Sequence, residues 1–179
     1  MRALRSLALL VFPLLGGLHA PAALADSLFL VETIVFRQSE QVIPSTQQPK
    51  DDWSESARVL DSSISRVSTL NDEASKLTPE NGYQILLHKA WQQSISSDDS
   101  SVAISEGQGQ FGHFPVQGTI TLREKRPVEL DADIWVNRFD NHGSISQSER
   151  LKRTSRLSVG ELTYLDGGSI GMLIRVRAL

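Results

Sequence analysis

The chain has 179 residues, 40% of them hydrophobic and 22% charged, with a formal net charge of −3 and no cysteine. Mild acidity removes the electrostatic case for nucleic-acid binding. The missing thiols exclude disulfides, a thiol nucleophile, a cysteine-ligated metal and a lipid-anchoring lipobox.

Residues 1–25 read as a secretory signal peptide. MRALR is a basic start, and SLALLVFPLL is too short for the ~20 apolar residues of a membrane span. Ala23-Leu24-Ala25 then forms a small-x-small cleavage site before Asp26. Export implies a soluble chain in a bacterial periplasm. Residues 26–179 then carry a formal charge of −5, because Arg2 and Arg5 leave with the leader. That length suits one domain better than two, and no other run approaches membrane-spanning length.

LFLVETIVF, residues 28–36, has Glu32 as its only charge and predicts a central strand buried on both faces. Residues 38–68 are rich in Ser, Gln and Pro and predict a long polar loop. Trp53 stands alone there among Asp51, Asp52 and Glu55; the commonest fate of such a ring is to fold back over the core as a lid, and a binding ring is the less common one. VSTLNDEASKLTPENGY predicts a short helix capped by Thr69 or Asn71. Leu70, Ala74 and Leu77 share one face of it, and Pro79 stops it.

NGYQILLHKAWQQ, residues 81–93, predicts a strand. Strict alternation places Tyr83, Ile85, Leu87 and Trp91 on one face and His88 on the other, unless a bulge shifts the register. Tyr83 and Trp91 are either core plugs or rings offered to a sugar. The bland reading of His88 is a satisfied structural histidine. VAI at 102–104 is a brief strand, and EGQGQFGHFP is a glycine-rich connector.

The second half is β throughout. VQGTITL alternates Val116, Ile120 and Leu122 with polar residues. VELDADIWV sets Val128, Leu130, Ala132, Ile134 and Val136 against Glu129, Asp131, Asp133 and Trp135, the cleanest period of two in the chain. Asn141-His142-Gly143 marks a hairpin tip. Strands near 150–158 and 160–165 follow, and MLIRVRAL closes the chain with Leu173, Arg175 and Arg177 opposite Met172, Ile174 and Val176. Short connections favour antiparallel pairing. The expected fold class is α+β, a mostly antiparallel sheet with one or two short helices packed on one face.

No catalytic constellation emerges. His88, His113 and His142 share no metal-ligand spacing, no serine sits in a G-x-S-x-G elbow, and GQGQFG and DGGSIG lack the Lys-Ser/Thr of a phosphate loop. No cofactor or metal is expected. A basic stripe does stand out: Arg150, Lys152, Arg153 and Arg156, with Arg175, Arg177, Arg123, Lys125 and Arg126. It is either a cross-strand salt ladder with Glu129, Asp131 and Asp133, or a groove for an anionic polymer or acidic partner. The candidate ligand-binding residues are therefore Trp91, Tyr83, Arg150, Arg153, Arg156 and Arg175.

VETIVFR, LTPENGYQILLHKAWQQ, GTITLREKRPVELDADIWV and RLKRTSRLSVGELTYLDGGSIGMLIRV occur in an order that resembles the CsiV family. The resemblance covers residues 28–177 apart from the loops near 38–65 and 94–112. Its most specific pieces are Leu87-His88-x-x-Trp91-x-Gln93 and Gly160-Glu161-Leu162-x-Tyr164-x-Asp166. The chain departs from the family pattern at Gly167-Gly168-Ser169 and at Pro127-Val128-Glu129. The resemblance implies a non-catalytic periplasmic protein that binds peptidoglycan and supports wall synthesis through a penicillin-binding protein or its lipoprotein activator. Two other functions fit the same residues. One is an envelope interaction module that never touches glycan, working through a sheet edge or the 38–68 segment. The other is a periplasmic hydrolase, which would need a histidine and an acid to converge in a cleft.

Overall fold

A computed structural model describes residues 27–38, 41–95 and 99–179, so the leader expected at 1–25 lies outside the described residues. In chain order the elements are β1 (Ser27–Arg37), β2 (Arg58–Val59), β3 (Ser65–Arg66) and the one-turn helix α1 (Asn71–Ala74). A 3-10 turn (Pro79–Asn81) follows, then β4 (Gln84–Ile95), β5 (Ser100–Glu106), β6 (Val116–Arg123) and β7 (Val128–Phe139). β8 (Ile145–Leu157), β9 (Leu162–Asp166) and β10 (Ile170–Ala178) complete the chain. Two five-stranded sheets result, one ordered β3-β4-β1-β10-β9 and the other β2-β5-β6-β7-β8.

This corrects the α+β expectation. Both sheets put an apolar face into one shared core, with Val31, Val35, Trp91 and Ile174 of the first meeting Ile120, Leu130, Ile134 and Leu151 of the second. A period of two says that each strand has a buried side, but not whether a helix or another sheet covers it. Here another sheet does. The segment read as a helix manages only four helical residues, with no side-chain cap. Thr69, one expected cap, instead gives its N–H and hydroxyl to Glu32. Leu70, Ala74 and Leu77 nevertheless pack together, against Ile34 and Phe36 on the outer face of the first sheet. Among the described residues no helix is long and apolar enough to cross a membrane.

β1 is buried on both faces, because it is the middle strand of its sheet and the 69–83 segment covers its outer side. Its register with β4 shifts between Val35 and Phe36, where Val35 pairs with Leu87 and Phe36 with Ile85, leaving Leu86 as the extra residue of a bulge. The bulge splits Tyr83 from Trp91. Trp91 faces the core, whereas Tyr83 packs edge-on to Phe36 at 5.6 Å on the outer face.

The chain between β1 and α1 touches both sheets. Residues 45–57 form a strap beside the outer face of the second sheet, tied to β8 by Ser45 N–H donating to the Ser148 carbonyl at 2.7 Å. β2 then pairs with β5 and β3 with β4. A second link between the sheets runs inside: Trp91 Nε1 donates to Gln93 Oε1 at 2.8 Å, and Gln93 Nε2 donates to the Ser100 carbonyl of β5 at 2.8 Å.

Candidate binding groove

The outer face of the second sheet carries the charges that alternation turned away from the core. β7 and β8 pair so that Asp131 lies opposite Thr154, Asp133 opposite Lys152, and Trp135 opposite Arg150. Arg123 binds Asp99, Glu129 and Asp131, and Lys125 binds Glu129 at 2.7 Å. Hydrogen bonds from the Thr154 hydroxyl and Arg123 outweigh the effect of burial and hold the Asp131 carboxyl below its usual range. This half of the basic stripe is a salt ladder, as the plainer of the two readings had it.

Arg150 is the hub of the other half. Its Nε and Nη2 grip Asp133 at 2.8 and 2.6 Å, a bidentate pair. Its guanidinium lies 4.4 Å from the centre of the Trp135 ring, and Nη1 donates to Gln47 Oε1 of the strap at 2.9 Å. One side chain thus fixes the floor, an acid and the strap together.

The strap is anchored at its far end by Trp53. The indole Nε1 donates to the Gly112 carbonyl at 3.1 Å, and the ring meets Phe114 edge-on at 6.3 Å. Beside it, His113 joins Asp51 at 3.2 Å and Gln117 at 3.2 Å. Gln117 Oε1 already accepts from the Phe114 N–H and the Asn137 amide. Its Nε2 must therefore donate to His113 Nδ1, which leaves the proton on Nε2 for Asp51. This histidine–acid contact serves as a tether.

Between strap and sheet lies a groove of about 890 Å³. Trp135, only 6% exposed, floors it, and the half-buried Trp53 walls it. Lys50, Asp52 and Glu55 line it from the strap, and Asp133, Arg150 and Lys152 from the sheet. The floor depends on Gly118: a Cβ there would fall 2.1 Å from the Asp133 carbonyl oxygen, so only glycine lets β6 and β7 approach this closely.

Of the six residues proposed from sequence, only Arg150 lies in this groove. Trp91 is fully buried in the core and presents no ring to solvent. Tyr83 sits on the opposite sheet, and so does Arg175, whose Nε donates to Glu32 Oε2 at 3.1 Å. Arg153 and Arg156 are exposed on β8, and neither makes an ion pair among the described residues. The structure does not bring the six together. Trp53 and Trp135, which line the groove, are not among the six. The available signal was Trp135 sharing a parity with Asp131 and Asp133, since a large ring among outward-facing acids needs something to cover it.

Among the described residues no group of three or more His, Asp or Glu side chains is placed to hold a metal ion. The model of one protein family, described as "Peptidoglycan-binding protein, CsiV", matches residues 63–179. The match takes in β7, β8 and their part of the groove but begins after the strap. No curated protein and no solved structure matches the chain.

Proposed function

The chain belongs to the CsiV family, and from that premise we propose that it is a periplasmic wall-binding protein without catalytic activity that seats a segment of peptidoglycan in the Trp53–Trp135 groove. The observation that carries this is the make-up of the groove: the half-buried Trp53 indole above a sheet of paired, oriented polar groups. Sugar rings and short peptides both offer apolar faces to an indole and hydrogen-bonding groups to fixed Asp, Arg and Gln side chains. Arg150 and Asp133 saturate one another and Arg150 also holds Gln47, so these groups are set before any ligand arrives. Once bound to the wall, the chain supports wall synthesis by contacting a murein synthase or its activator.

Cosedimentation with purified sacculi tests the proposal. The intact protein is expected in the pellet, and Trp53→Ala is expected to move it about tenfold or more toward the supernatant, the loss of one aromatic contact. Full recovery of the intact protein in the supernatant at low salt contradicts wall binding. Unchanged pelleting of Trp53→Ala contradicts the location.

A further inference from the structure

We infer that the groove recognises the peptide part of the wall, a short stem bearing both a free amine and free carboxylates, and not the glycan alone. The inference rests on the wall-binding reading and narrows its ligand. Within the groove the charges fall into two groups. Arg150 and Asp133 are spent on each other. Lys50 on the strap makes no ion pair among the described residues. Lys152 lies 3.8 Å from Asp133, whose two oxygens Arg150 already holds, and its side chain is 68% exposed.

Asp52 and Glu55, on the strap side, likewise make no ion pair among the described residues, although they line the same space as Lys50 and Lys152. Lys50 and two carboxylates without an ion pair among the described residues, and Lys152 with its long and exposed pair, therefore share one groove beside Trp53. A neutral glycan would engage none of the four as an ion pair. A purely anionic polymer would meet Asp52 and Glu55 with repulsion. A zwitterionic peptide answers both signs: its carboxylates meet Lys50 and Lys152, and its side-chain amine meets Asp52 or Glu55. The four charges differ from the neighbouring ladder, where Arg123 and Lys125 pair with Asp99, Glu129 and Asp131, in that they share one groove and present both signs to a partner of mixed charge.

The test compares three polymers in one sedimentation assay: intact sacculi, sacculi whose amines have been acetylated, and glycan strands stripped of peptide by an amidase. Intact sacculi should retain the protein. Acetylated sacculi and bare glycan should each bind about tenfold more weakly, as should the Lys50→Ala/Lys152→Ala double variant on intact sacculi. Both lysines are exposed, so a melting temperature unchanged from the parent chain verifies the fold of that variant. Equal binding to bare glycan and intact sacculi overturns the peptide assignment while wall binding stands. No binding to any of the three polymers overturns both.

Discussion

Trp91 and Gln93 show how one side chain's chemistry joins two layers. The indole N–H needs an acceptor once the ring is buried, and Gln93, two residues on and on the same side of β4, supplies it while reaching across to β5. Trp91→Ala is expected to cost roughly 3–5 kcal/mol in urea unfolding, from lost burial plus cavity. Trp91→Phe keeps most of the volume but strands the Gln93 oxygen, a cost of about 1–3 kcal/mol. Trp91→Ala without measurable loss of stability would contradict the core role. At this scale the sequence was legible only in part. A ring near a strand end reads the same whether it plugs a core or meets a ligand, and the bulge at Leu86 carries no glycine or proline to announce it. Alternation therefore sets Tyr83 and Trp91 on one face, although the bulge turns them to opposite sides.

Among the elements, the 69–83 segment is held to its sheet by a buried charge. Glu32, fully buried in mid-β1, pairs with Arg175 at 3.1 Å and Arg177 at 3.4 Å, and it accepts the Thr69 N–H and hydroxyl. Burial pushes its carboxyl up, but the Thr69 bonds and Arg175 outweigh burial and hold it below the ordinary value of 4.5. A carboxyl depressed in the folded state contributes stability that is fully present above its unfolded value and is lost as pH falls through the folded one. Glu32→Gln should thus destabilise by about 3 kcal/mol at neutral pH, leaving two arginines short of their partner. The gap to the parent chain should narrow as pH drops below 4.5. Thermal melts across that range check it, and a gap that does not change with pH would contradict the pairing. The strands themselves were legible, because alternation in 128–136 and 172–177 sets each buried face directly. The helix was not: propensity and a proline stop could not foresee that Glu32 would claim Thr69.

For the whole molecule, the decisive features are long-range. The two sheets and the strap come together through pairs such as Gln47–Arg150 and Trp53–Gly112, which are 103 and 59 residues apart in sequence. Local patterning carries no trace of these partners, which is why alternation only sets Trp135 on the charged face and leaves Trp53 a lone ring in a polar loop. The basic stripe divides for the same reason: Arg150 and Arg175 are both strand arginines of the stripe but sit on the outer faces of different sheets. Arg150→Ala should loosen the strap from the sheet, and faster proteolysis at residues 45–57 than in the parent chain would report it; an unchanged cleavage rate there would contradict the anchor. Hydrogen–deuterium exchange with and without soluble, peptide-bearing wall fragments tests the site most directly. Protection confined to residues 45–57 and to 133–135 and 150–152 is the predicted result. Protection confined instead to the first sheet, around 162–166 and 173–177, would contradict it.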